Sequence, residues 1–290
     1  MASGERMAPL PKSAKMQGFM LSGDDCKLAV QVAERIALDA GTLIMEGWRS
    51  GTEVARKGRF DLLTDYDLRS ETLIRNGLSD AFPNHRIVGE EHENTGEGDF
   101  VWYVDPIDGT TNFAHGHPFF CVSIALYHGS TGLAGVVHAP ALQTTWKASR
   151  EGGAFRNGKP CRVSERESLE ESLCATGFPY DRATRVDNNL AELSLFLKRA
   201  RGIRRCGSAA IDLSLVADGT YDLYWEQALN AWDMCAGALI VAEAGGKLSA
   251  YDGGPVDPRT GKLIASNGRV HDAAVRTIGE ARHKLNASNP

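Results

Sequence analysis

Leu28, Val32, Ile36, Ala40, Ile44 and Trp48 recur every four residues, with Ala33, Ala37 and Leu43 beside them. This spacing predicts one long amphipathic helix, and Ser22-Gly-Asp-Asp25 ahead of it has the hydroxyl cap and first-turn acids of a helix start. Leu68, Leu73, Ile74, Leu78 and Phe82 predict a second helix closed by Pro83, and Arg86–Gly89 a short strand running into Glu90-Glu91. The pattern then changes to strands, at 119–127, 133–138 and 144–148. Asn157-Gly158 is a hairpin signal that carries an antiparallel meander to about Val163. Beyond it strands at 172–176, 203–206, 221–225, 247–250 and 263–265 alternate with helices at 188–201, 208–217, 232–244 and 270–285. An antiparallel half followed by an alternating half predicts a layered α+β architecture. The expected divisions are a disordered, polar N-terminal extension (1–21), an N-terminal α+β half (22–165) and a C-terminal α/β half (166–290).

Composition narrows the setting. At 290 residues and 42% hydrophobic the chain can bury a large core, and its net charge of -5 with scattered Lys and Arg gives no nucleic-acid footprint. No apolar run nears the ~18 residues of a membrane span. Six cysteines without a C-x-x-C pair or a secretory leader point to reduced thiols and a cytoplasmic protein. Arg6, Lys12 and Lys15, with Glu5 among them, are too few for a transit peptide.

The chemistry gathers around Trp102-Tyr-Val-Asp-Pro-Ile-Asp-Gly-Thr-Thr-Asn-Phe113, where an apolar strand delivers Asp105 at its end and the chain turns at once. Carboxylates three residues apart repel unless a cation lies between them, so for this stretch alone a metal site and a solvated turn are both open. Asp67, Glu90 and Asp233 share the setting of Asp105 and Asp108, each beside a short apolar segment or in a first helical turn. The helix dipole alone explains Asp67 and Asp233, but not Asp105 and Asp108. Convergence of all five would place roughly five negative charges together, which two or more hard divalent cations neutralise; oxygen-only ligands favour Mg²⁺, Mn²⁺ or Ca²⁺ over zinc. Gly109-Thr110-Thr111 is a candidate anion cradle, and the whole reads as metal-assisted phosphoryl hydrolysis. His115-Gly-His117 is set aside as a ligand pair, because hard cations prefer oxygen.

Asp105-Pro-Ile-Asp-Gly-Thr-Thr-Asn-Phe113, preceded by Val88-Gly-Glu-Glu91 and followed by Trp232-Asp233 and its small-residue helix, resembles the inositol monophosphatase family. Asp61-Leu-Leu-Thr-Asp-Tyr-Asp67 and Gly207-Ser-Ala-Ala210 match the same pattern in order and spacing. The acids stand three apart, which separates the motif from the two-residue spacing of haloacid-dehalogenase-like phosphatases. The resemblance implies a layered αβαβα sandwich of the inositol monophosphatase and fructose-1,6-bisphosphatase type, a homodimer and lithium sensitivity. It implies two or three Mg²⁺ ions, with Mn²⁺ as a possible substitute.

Carried over by position, Glu90, Asp105 and the Ile107 carbonyl would hold one ion, and Asp105, Asp108 and Asp233 a second. Thr110, paired with Asp67, would orient the attacking water, with Glu90 the third catalytic group. Ile107, Asp108, Gly109, Thr110, Gly207, Ser208, Ala209, Glu226 and Asp233 would meet the substrate, a small phosphorylated polyol, with inositol 1-phosphate the leading choice. Histidinol phosphate, fructose 1,6-bisphosphate and 3'-phosphoadenosine 5'-phosphate are the alternatives on the same fold. Asn230 departs from the His that animal members carry three residues before the metal-binding Asp. Arg204-Arg205 is read as solvated, with contact to a second substrate phosphate the sharper alternative.

Overall fold

A computed structural model describes residues 21–50, 54–56 and 62–287. Residues 1–20 of the expected extension, and Asp61 of the Asp61–Asp67 motif, lie outside the described residues.

The first helix, α1 (Gly23–Gly47), opens on the expected capping box: the Ser22 hydroxyl accepts from the Asp25 N–H, and the Asp25 carboxylate accepts from the Ser22 N–H. Its buried line passes through Ala29, Ala33, Ile36, Ala37, Ala40 and Ile44. Leu28 is 38% exposed. A strict four-residue spacing drifts around a 3.6-residue helix, so the two ends of the predicted stripe cannot both face the core.

A two-stranded ribbon, β1 (Val54–Arg56) and β2 (Leu62–Thr64), leads into α2 (Asp65–Ala81). Then comes a seven-stranded sheet in simple sequence order: β3 (Arg86–Gly89), β4 (Phe100–Asp108), β5 (Cys121–His128), β6 (Thr131–Ala139), β7 (Thr144–Ser149), β8 (Gly153–Arg156) and β9 (Lys159–Pro160). Only the β3–β4 pair is parallel; the rest is the expected meander. A short helix, α3 (Thr110–Ala114), joins β4 to β5.

The second sheet orders its strands β11-β10-β12-β14-β13, from β10 (Leu173–Thr176), β11 (Gly202–Arg204), β12 (Leu223–Gln227), β13 (Lys247–Ser249) and β14 (Lys262–Ser266). Strand β10 runs parallel to both neighbours, and β14 antiparallel to both of its own. Helices α4 (Leu190–Phe196), α5 (Ala209–Ala217), α6 (Ala231–Glu243) and α7 (His271–Ala287) complete the described chain. The helix expected at 188–201 is shorter at both ends. Asn189, in the left-handed region, gives its side chain to Thr176, Gly177 and Trp225, and the chain must turn back after Phe196 to enter β11.

Three apolar clusters mark the layers. Helices α1 and α2 cover one face of the large sheet, α5 and α6 fill the space between the two sheets, and α4 and α7 back the small sheet. The result is the αβαβα sandwich. The central helices show little amphipathicity because they are apolar on nearly every side, as a layer packed between two sheets requires. No described helix is long and apolar enough to cross a membrane.

Candidate active site

Strand β4 extends past Asp105 to Asp108, further than its apolar run indicated. The register with β5 jumps from the Asp105–Ser123 pair to the Asp108–Cys121 pair. This bulge brings both acids to one pocket, which Ile107 also lines. Gly109 then turns the chain with φ 101°, a conformation that favours glycine, and a Cβ there would meet the Phe119 carbonyl at 3.0 Å. The turn is tight enough to start α3 at once with Thr110.

Three more elements deliver acids to this point. Glu90 leaves the end of β3, next to β4. Asp67 sits in the first turn of α2, where one carboxylate oxygen accepts from the Thr64 N–H (2.8 Å) and hydroxyl (2.5 Å). Its other oxygen accepts from the Thr110 hydroxyl at 3.1 Å, which also lies 3.1 Å from the Ile107 carbonyl. Asp233 holds the corresponding place in α6, accepting from the Asn230 N–H at 2.7 Å. Every residue singled out from the sequence for metal or substrate lines this one pocket, and Asp67 reaches it through Thr110.

Ser208 and Ala209, expected to meet substrate, are turned toward a protein carboxylate. The Ser208 hydroxyl (2.7 Å) and the N–H groups of Ala209 (3.3 Å) and Ala210 (2.7 Å) donate to Asp108 from the N-terminus of α5. Positive helix-end dipole and three donors offset part of the cost of burying this charge. Glu226, at the end of β12, accepts from the Tyr224 hydroxyl at 2.5 Å.

These carboxyls strain against one another. Burial, then the charges of Glu90, Asp108, Asp233 and Asp67, push Asp105 well above the usual carboxylate range. Burial carries Asp108 up to about 6 despite its donors, and burial followed by the charge of Asp108 raises Asp233. Glu226 rises to about 7, mainly through burial. Among the described residues no three acidic, His or Cys side chains are already drawn together around one point. The Asp105, Asp108 and Asp233 oxygens are instead engaged by backbone and hydroxyl donors, including the Ile107 N–H on Asp105 at 3.0 Å. In donor type and charge the set fits hard divalent cations, which would relieve both the desolvation and the mutual repulsion.

A stability test follows from the signs. An acid whose folded pKa lies above its ordinary value near 3.8 stabilises the protein fully below that value and loses the contribution as pH rises through the folded pKa. The metal-free melting temperature should therefore fall from about pH 4 through pH 6 and beyond. The Mg²⁺-induced rise in Tm, read by differential scanning fluorimetry, should be larger at pH 7.5 than at pH 5. An equal rise at both pH values would contradict the cation-relief account.

The rest of the lining comes from Gly177-Phe-Pro-Tyr180, Ala228-Leu-Asn230 and Arg205. The Arg205 guanidinium lies over the Gly207 turn, where a Cβ on Gly207 would be 2.8 Å from its Nη1. Arg205 lines the pocket, while both it and Arg204 are exposed, in keeping with the solvated reading of the pair. His115 and His117 are exposed and do not line the pocket. Two groups were missed from the sequence: Tyr224, whose alternation with Glu226 along β12 was its only clue, and the buried Glu71–Arg75 pair on α2.

The model of the inositol monophosphatase family matches residues 27–283. The chain belongs to the inositol monophosphatase family. An inositol-1-monophosphatase of Synechocystis sp. is 43% identical over 255 residues, 87% of this chain and 89% of that protein. The Nus factor SuhB of Pseudomonas aeruginosa is 42% identical over 258 residues, 86% of this chain and 95% of that protein. The solved inositol monophosphatase of Anabaena superposes with a TM-score of 0.81 at 36% identity, covering 88% of this chain and 97% of the other. Asn230, the departure from the His of animal members, lines the pocket and gives its N–H to Asp233.

Proposed function

We propose that this chain hydrolyses inositol monophosphate to inositol and phosphate in a Mg²⁺-dependent reaction, without a covalent intermediate. The observation that carries the reading is the convergence of Glu90, Asp105, Asp108 and Asp233 with the Thr110–Asp67 pair in one pocket at the Gly109 turn. Family membership and the name of the Synechocystis relative support it.

The oxygens of Glu90, Asp105 and the Ile107 carbonyl would hold one Mg²⁺, and Asp105, Asp108 and Asp233 another; Mn²⁺ is an acceptable substitute. When bound, such ions polarise phosphoryl oxygens and lower the pKa of water. Asp67, fixed by Thr64, accepts the hydrogen bond of the Thr110 hydroxyl and so leaves the Thr110 oxygen lone pairs to accept from a water. Thr110 thereby aims the oxygen of that water at phosphorus. Gly109 and Thr110 offer backbone N–H groups at the start of α3 to phosphate oxygens. Glu226, oriented by Tyr224, accepts from substrate hydroxyls.

The decisive measurement is phosphate release from myo-inositol 1-phosphate with Mg²⁺, with and without Li⁺. We expect metal-dependent turnover that lithium suppresses; no release at any Mg²⁺ concentration would refute the assignment. A second reading is favoured by Arg205: a guanidinium at the pocket suits a substrate with a second anionic group, such as fructose 1,6-bisphosphate or 3'-phosphoadenosine 5'-phosphate. Glu226 would equally pair with the ammonium of histidinol phosphate. Comparing kcat/KM over these compounds separates the readings, and the inositol reading falls if another substrate wins by orders of magnitude.

The setting we infer is cytoplasmic and homodimeric. Tyr180, Val186, Leu190 and Leu197, all between β10 and β11, are each more than half exposed, and exposed apolar side chains of this kind support pairing with a second copy. Light scattering at the monomer mass would contradict the dimer.

A further inference from the structure

Helix α2 carries a polar face that is buried rather than solvated. Asp67, Ser70, Glu71 and Arg75 are at most 8% exposed, and their spacing puts them along one side of the helix. Each of the first three bonds a residue that lines the pocket or adjoins one that does. Asp67 accepts from Thr110, and the Ser70 hydroxyl donates to the Pro106 carbonyl inside the β4 bulge at 3.2 Å. Glu71 reaches the segment after β3, accepting from the Glu91 N–H at 2.6 Å and the His92 N–H at 3.2 Å.

The Glu71 contacts are unusually complete for a buried carboxylate. Arg75, one turn along, donates to its Oε1 at 2.6 Å. The same guanidinium donates to the His92 carbonyl (3.1 Å) and the Thr95 hydroxyl (3.1 Å), so the pair grips the segment at both donors and acceptors. The backbone also passes close: a Cβ on Gly89 would lie 2.2 Å from Glu71 Oε1. Glu90 stands between Gly89, pressed against this carboxylate, and Glu91, bonded to it.

A buried ion pair is a poor device for stability, since well-packed apolar residues do as well or better. It is a good device for placing backbone, because charge-assisted bonds have short, directional geometry. We infer that Glu71, held by Arg75, is a positioning residue that sets the place of Glu90 as a cation ligand and ties it, through α2, to the Asp67–Thr110 pair. The inference rests on the reading of Glu90 as a ligand.

The test uses Glu71→Gln in the full chain, with Mn²⁺ binding followed by electron paramagnetic resonance and calorimetry beside the Mg²⁺ dependence of phosphate release. The amide keeps the shape but turns an N–H₂ toward donors it cannot satisfy. Disturbing a partner of a metal ligand typically costs about 10–100-fold in affinity. We expect the tightest Mn²⁺ site to weaken by that factor and the half-saturating Mg²⁺ concentration to rise in parallel, with kcat at saturating Mg²⁺ within a few-fold of wild type. Leu78→Ala, in the apolar core under the same helix, should lower Tm without moving either metal reading. Arg75→Lys should shift both readings in the same direction by less, and it decides alone if Glu71→Gln does not fold. The inference is overturned if these variants lose only thermal stability, as Leu78→Ala does, with Mn²⁺ affinity and Mg²⁺ dependence unchanged. In that case wild-type turnover still stands; a wild type that takes up no Mn²⁺ brings down the reading of Glu90 itself and this inference with it.

Discussion

Asp105→Asn is expected to lower phosphate release by about a thousandfold or more at saturating Mg²⁺ while the protein stays folded. A cation at a phosphoryl oxygen contributes several kcal/mol to the transition state, and about 4 kcal/mol corresponds to roughly a thousandfold in rate. Asp105 is the residue proposed to serve both ions, so no neighbour can take over for it. The fold has little reason to suffer. The carboxyl is 2% exposed and opposed by Glu90, Asp108, Asp233 and Asp67, and the amide oxygen of Asn can keep accepting from the Ile107 N–H. Metal-free Tm should therefore be unchanged or higher, while the Mg²⁺-induced rise in Tm is lost. Phosphate release within tenfold of wild type, with an undiminished Mg²⁺ response in Tm, would remove Asp105 from the metal site.

The elements that position the site were readable in proportion to how local their causes are. The α1 cap and the meander of β5–β8 follow from cap chemistry and two-residue alternation, which act within a few neighbours. The bulge that carries β4 to Asp108 does not, because it is settled by pairing with Cys121 and Ser123 on β5. The acids themselves could be picked out one by one, since a carboxylate beside a buried strand end has few uses. Their partners could not. Ser208, Ala209 and Ala210 were legible as a Gly-led turn, but their donation to Asp108 spans 100 residues or more and depends on how α5 packs between the sheets. Glu71 and Arg75 look like an ordinary solvated pair four residues apart, and only the path of residues 89–95 over α2 shows them to be buried. Arg205 was likewise ambiguous until the Gly207 turn placed it at the pocket.

Thr110→Val should reduce kcat by about a hundredfold or more, the usual cost of losing the group that places a reacting atom, with metal affinity and KM close to wild type. The direction of the Thr110 hydrogen bond makes this a sharp test. Thr64 occupies one Asp67 oxygen with both its N–H and its hydroxyl, leaving the other for Thr110. Valine keeps the shape of threonine but has no oxygen to accept from a water, whereas Thr110→Ser should retain much of the rate. Asp67→Asn attacks the same bond from the other side, because an amide N–H₂ turned toward Thr110 would reverse its polarity. Its effect on kcat should match that of Thr110→Val, with an added loss of about 1 kcal/mol in stability from the weakened α2 cap. Residues that act as one unit do not add. Thr110→Val combined with Asp67→Asn should therefore be no slower than the slower single variant. If the two losses multiply, Thr110 and Asp67 act separately, and the orientation of water by this pair is wrong.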